Sequence, residues 1–402
     1  MTAVHYDPRD PAVIDNPLPV LKRLQDEDPV HWSETLRGWV VTRYDDVRRV
    51  QLGTQMSADR LMPFFESLPD SQQARIRDLI RYLNTWVAFK DPPEHGRLRS
   101  VLNTVFTVRE IDALRPSVER AVDQLLDRLD GRAEFDFIRD FAFPLPATVI
   151  MFLCGVPLED MENIKTWSEK MKPFIGSATA SPDKYDLAQE GAVQMAAYFR
   201  DVVRSRRGAA GDDIISKLVR LEGLEGGLTE DEIIGACMLF LFGGHETTTN
   251  LIANGMRAFI ANPGEREKVL AEPRLTGLAV EEILRYDGPT GALVRVVKVS
   301  HDFHGRAFEQ GDRVFSFIHA ANHDPRKFAA PERFDVERSP NPHLTFNYGP
   351  HFCLGAPLAR LEGRIALSRA LERFPRMRLL RPVKYMDTLV MRGAREMHCA
   401  PA

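Results

Sequence analysis

Four groupings of residues in this 402-residue chain have the types and spacing that chemistry needs. In Phe346-Asn-Tyr-Gly-Pro-His-Phe-Cys-Leu-Gly355, Cys353 lies between Gly349 and Gly355, just ahead of Pro357, which can open a helix running to about Phe374. A sulfur placed just before a helix start meets free backbone N–H groups and the positive end of the macrodipole, which favour thiolate over thiol. Such a sulfur serves either as a nucleophile, with His351 two residues away as its base, or as a metal ligand. Cys154, Cys237 and Cys399 lack these flanks and read as buried core residues.

In Asp91-Pro-Pro-Glu-His-Gly-Arg-Leu-Arg99 the prolines start a helix and set His95 and Arg99 four apart on one face. Two donors so placed suit an anion, although most such pairs are simply solvated. In Gly243-Gly-His-Glu-Thr-Thr-Thr249 two glycines and a run of polar groups interrupt an apolar helix; each glycine costs ~1 kcal/mol relative to alanine. Violations of this kind mark function. His245-Glu246 is no zinc motif, because no second histidine follows at the needed spacing. Glu282 and Arg285 stand at i,i+3, where an exposed ion pair would be worth only about 0–1 kcal/mol.

The elements that must position these groups are mostly helices. Thr229 and Glu232 form a capping box opening a helix that runs to Asn262-Pro263, roughly 45–50 Å long at ~1.5 Å per residue. Helices are also predicted over 114–129, 141–154, 161–174, 185–206, 275–286 and 357–374. Strands are predicted over 30–34, 38–43, 293–299, 306–309 and 313–318, and 51–84 reads as loops with one helix. The small polar loop Ser177–Asp183 suits a lid between two helices as well as a plain surface turn.

The spaced pattern Phe-x-x-Gly-x-His-x-Cys-x-Gly resembles the haem-ligand loop of the cytochromes P450, and the other groupings match that family in order. The resemblance, from about Val30 to the C-terminus, implies a mainly α cytochrome P450 fold with small β-sheets, in one domain over residues 1–402, with haem b as cofactor. It implies that Cys353 is the axial thiolate, whose electron donation favours O–O cleavage, that Phe346 shields the proximal face, and that Gly355 belongs to the same loop. It further implies propionate contacts from His95, Arg99, Arg295 and His351, an oxygen-binding segment at Gly244 with Glu246 and Thr247 as an acid–alcohol pair, and a buried network of Glu282, Arg285 and Arg333. Pocket positions carried over one by one are Leu239, Phe242, Gly243, Gly291, Ala292, Leu293 and Val390.

The expected activity is therefore monooxygenation: one oxygen atom from O2 enters a small, largely hydrophobic substrate such as a terpenoid or aromatic ring. A long-chain carboxylate fits less well, since Arg392 beside Val390 is the one cation near those positions. Flavin and nicotinamide fingerprints are lacking, so electrons are expected from a ferredoxin or flavodoxin with its reductase, docking near Arg99, Arg360 and Arg364. A thiolate-haem peroxygenase or nitric oxide reductase is the rival enzyme, and a non-catalytic haem sensor the rival of another class. The net charge of −4 argues against nucleic acid or an anionic membrane as partner. Four cysteines in so long a chain and the polar N-terminus point to the cytoplasm, and no run is long enough to span a bilayer.

Overall fold

A computed structural model of the chain describes residues 4–178 and 181–401. At its centre is the helix Glu230–Ala261. The capping box is formed as predicted: the Thr229 hydroxyl accepts from the Glu232 N–H, and the Glu232 carboxylate accepts from the Thr229 N–H. Glu230, Asp231 and Glu232 in the first turn complement the helix dipole. Beyond that turn the helix is buried on nearly every side, as expected of a helix apolar all round. Helices Pro144–Cys154, Lys184–Arg206, Thr276–Asp287 and Ala356–Arg373 pack around it.

One five-stranded sheet runs Val30–Ser33, Gly38–Val41, Arg313–Phe317, Ala292–Val297, Met56–Ser57. The first pair is antiparallel with Trp32 opposite Trp39, their rings 5.2 Å apart. Gly38–Val41 pairs in parallel with Arg313–Phe317, whose other edge sets Val314 opposite Arg295. That register is what delivers Arg295 to the centre of the molecule.

Two regions differ from the reading of the sequence, and a third lies partly outside the described residues. Residues 51–84 hold three short helices, Met62–Glu66, Asp70–Arg75 and Arg77–Leu83, broken at Pro69 and Ile76. Helices so short stand only by packing, here through buried Leu79, Ile80 and Leu83, so their local periodicity is weak. The helix expected from Phe141 begins at Pro144 after a wide turn over Ile138–Ala142. Of the loop Ser177–Asp183, residues 179 and 180 lie outside the described residues.

The C-terminal segment folds back as short strands, and its turn is fastened to the end of helix Met161–Ile175. The Gly176 carbonyl accepts from both the Leu389 N–H (3.0 Å) and the Val390 N–H (3.2 Å).

Candidate active site

The loop carrying Cys353 is set by its own backbone. The Cys353 N–H donates to the Phe346 carbonyl at 2.9 Å, which closes the loop on itself, and helix Ala356–Arg373 begins three residues on. Burial raises the Cys353 thiol above its ordinary value, against the N–H groups of Gly355 and Ala356 and the charges of Arg99 and Arg360. The helix start therefore works in the predicted direction but does not by itself produce a thiolate; a bound cation would. His351 points elsewhere. Its ring lies 4.2 Å from that of His95, and burial, then Arg295 and His95, hold it down at about 3, so it makes a poor base for the sulfur.

Opposite Cys353, across a cavity, runs the middle of the central helix. Leu239, Gly243, Gly244 and Thr247 line the far wall; Val87, Ala88, Pro289 and Thr290 close the sides. A Cβ at Gly244 would come within 2.8 Å of Ile150, so only glycine lets helix Pro144–Cys154 approach this closely. At Gly243 an added Cβ would have Leu239 alone for a neighbour, at 3.9 Å. The Thr247 hydroxyl donates to the Gly243 carbonyl at 2.9 Å.

Glu246 is turned away from this cavity. Successive residues of a helix point about 100° apart, and its carboxylate lies 2.8 Å from the Lys172 ammonium and 3.4 Å from His245 Nε2. Burial pushes this carboxyl up, but Lys172, with His245, more than reverses that and holds it at about 2.

The pocket positions taken from the sequence divide. Leu239 and Gly243 face the cavity. Phe242 is buried with its ring 5.8 Å from Trp86. Ala292 packs in a separate apolar cluster, Val390 packs between that cluster and the main core, Leu293 packs against a third, and a side chain at Gly291 would strike the Leu389 carbonyl at 2.6 Å. The chain meets the cavity one or two residues earlier than expected, through Pro289 and Thr290. Arg392 is bound to Asp287 at 2.7 Å and does not face it.

Behind the cysteine loop, Glu282 and Arg285 form a fully buried pair at 2.7 Å. Arg333 contributes its carbonyl, accepting from Arg285 at 3.0 Å, whereas the second guanidinium on Glu282 is that of Arg338, at 3.1 Å. Asn341 and the Asp335 N–H complete the donors to this carboxylate.

A family model for cytochrome P450 matches residues 40–378. The chain belongs to the cytochrome P450 family. The putative cytochrome P450 YjiB of Bacillus subtilis is 37% identical over 364 residues, covering 90% of this chain and 88% of its own. A crystal structure of P450BioI in complex with a hexadec-9Z-enoic acid-ligated acyl carrier protein superposes with a TM-score of 0.89 at 34% identity, covering 97% of this chain and all of that one. A myxobacterial P450, CYP267B1, in complex with myristic acid gives 0.89 and 34%, covering 98% of each chain. The protein is thus a P450 monooxygenase using protoporphyrin IX haem, and among its described residues no helix is long and apolar enough to cross a membrane.

The residues present fit that cofactor. Cys353 lines the cavity and would be the ligand that the chain offers to the iron of such a group. His95, Arg99 and His351 line the cavity, and Arg295 acts on both histidines from the sheet. Arg295 is buried, its Nη2 lacks a partner among the described residues, and burial brings it down to about 10. The one carboxylate acting on this group, Asp91, is engaged by Ser57 and Ala58. Two arginines short of anions, beside two histidine rings that burial keeps neutral, match the propionates of haem.

Proposed function

We propose that this P450 inserts one oxygen atom from O2 into a largely hydrophobic organic substrate held between the central helix and Cys353. The observation that carries this reading is the cavity itself, with one thiol on one side and Leu239, Gly243 and Thr247 on the other. Haem bound there would supply oxygen activation, to which the Cys353 thiolate would lend electron density.

The chain's own residues divide the remaining tasks. Cys353 would ligate the iron, and Phe346, with the Arg360 guanidinium 4.6 Å over its ring, would cover that side of the loop. His95, Arg99, Arg295 and His351 would hold the propionates, Gly244 lets helix Pro144–Cys154 pack close behind the far wall, and Gly355 lines the cavity beside Cys353. Thr247 is the hydroxyl in the far wall placed to hand over a proton. Glu246 resupplies it by leaving Lys172: without that cation its burial favours the neutral acid, so it takes a proton from solvent and passes it on to Thr247, returning to the carboxylate. Leu239, Gly243 and Thr290 shape the substrate's side, where apolar area sets affinity at ~25 cal/mol per Å².

Electrons come from a separate ferredoxin or flavodoxin with its reductase, in the cytoplasm. The face nearest Cys353 carries exposed Phe352 and Arg364 beside half-buried Arg99, whereas Arg360 is already held by Glu281 at 2.7 and 2.8 Å. The test has two arms. Reduced holoprotein with carbon monoxide should show the red-shifted Soret band of thiolate ligation, absent in Cys353→His. A panel of terpenoids, aromatics, fatty acids and macrolides is then read by the low-spin to high-spin shift, and hits are incubated with NADPH and a surrogate ferredoxin system. Products formed only with hydrogen peroxide would make the protein a peroxygenase, and shifts only with macrolides would refute the compact pocket.

A further inference from the structure

A second cavity, of about 330 Å³, adjoins the first. The turn Val87–Phe89 is their common wall, giving Val87 and Ala88 to the one and Phe89 to the other. Its floor is aromatic: the Phe64 ring lies 6.1 Å from that of Phe174 and stacks on Tyr185 at 6.0 Å.

Its rim is basic. Arg60, Lys184 and Arg313 line it from three different elements, and no Asp or Glu does. Among the described residues these three bond only neutral acceptors: Arg60 the Ile175 carbonyl (2.9 Å) and the Ser177 hydroxyl (3.2 Å), Lys184 the Ala178 carbonyl (2.7 Å), and Arg313 the Leu36 and Arg37 carbonyls. A fourth cation, Arg9, is satisfied by Asp7, and Asp387 acts on Lys184 from the C-terminal loop. Burial first, then Arg295 and Arg313, bring Arg60 down to about 10, so it stays charged at neutral pH among unrelieved like charges. Desolvated cations bonded to neutral acceptors, as Arg60 and Arg313 are, gain from an anion in a way that exposed, paired ones do not.

We propose that this vestibule binds the anionic end, carboxylate or phosphate, of an otherwise apolar substrate whose remainder reaches the Cys353 cavity. Arg60 is the specificity-determining cation, with Lys184 and Arg313 as its partners. The inference rests on the proposed function and supplies the polar anchor that the first cavity lacks.

The test is titration of ferric holoprotein with dodecanoic acid, dodecyl phosphate and 1-dodecanol, followed both by calorimetry and by the Soret shift. The proteins are the wild type, Arg60→Met, Arg60→Lys and the double variant Lys184→Met/Arg313→Gln. The expected result is binding of one acid at least about tenfold tighter than the alcohol. Arg60→Met and the double variant should erase that preference with the alcohol's Kd unchanged, and Arg60→Lys should keep part of it. The acid against the phosphate tells which anion fits. Equal affinity for acid and alcohol, or variants that weaken all three alike, overturns the inference; if the alcohol still shifts the Soret band, the proposed function stands. A Soret band that no apolar ligand moves overturns the proposed function and the inference with it.

Discussion

The ammonium of Lys172, on the helix Met161–Ile175, lies 2.8 Å from the carboxylate of Glu246, on the central helix. The pair joins the two helices on the side turned away from the cavity and holds Glu246 ionised where burial alone would favour its neutral form.

Its folded-state value of about 2 is below the ordinary 4.5, so the stability it contributes is complete above about pH 4.5 and is lost as pH falls toward 2. Lys172→Met should cost about 3 kcal/mol at pH 7, because it leaves a buried carboxylate without its cation. The difference from wild type should shrink as pH falls from about 4.5 toward 2, where Glu246 protonates in the folded wild type. Denaturant melts at several pH values measure this; a constant difference would show that Lys172 acts through packing alone.

Proton supply gives the second prediction. Thr247→Ala should leave haem content intact and divert electrons from product to hydrogen peroxide, while Glu246→Gln should slow turnover by about 10²-fold. Lys172→Met tests whether Glu246 must leave its partner: a faster Glu246 proton donor would show as a shifted pH profile of kcat. Full coupling of NADPH to product in both Thr247→Ala and Glu246→Gln would count against these roles.

The buried network gives the third. Arg338→Ala removes one of two guanidinium groups on a fully buried carboxylate and should cost about 1.5–3 kcal/mol, with weakened haem retention. Arg333→Ala should stay within about 0.5 kcal/mol, since that residue contributes its carbonyl. Equal losses at the two positions would put the Arg333 side chain on Glu282 after all.

Partner docking gives the fourth. Arg364→Glu should raise the apparent KM for an acidic ferredoxin and flatten its salt dependence without altering stability. Arg360→Glu should instead destabilise the protein, by setting two carboxylates together at Glu281. Unchanged reduction kinetics in Arg364→Glu would move the docking face elsewhere.

What the sequence made legible is what lies close along the chain. The Cys353 loop, the His95–Arg99 face, the capping box and the Glu282–Arg285 pair each fall within one turn or helix, and all formed. Arg338 was missed because a pattern match names a residue and says nothing of whether its carbonyl or its guanidinium is used. Glu246 was placed beside Thr247 by sequence, yet one step along a helix turns a side chain through about 100°. Lys172, and the gathering of Arg60, Lys184 and Arg313, depend on which helices and strands pack together, and periodicity carries no trace of that.

The Gly176 carbonyl holds the N–H groups of both Leu389 and Val390, and Leu389 lines the vestibule that Ile175 and Ser177 also bound. If substrate enters through this vestibule, its lip at Ile175 and Ser177 and its wall at Leu389 hang from a single acceptor. Loosening one loosens the other, so how fast a molecule is admitted and how firmly its orientation is fixed are coupled quantities. Variants selected for quicker uptake of bulky compounds are expected to oxidise them at more positions.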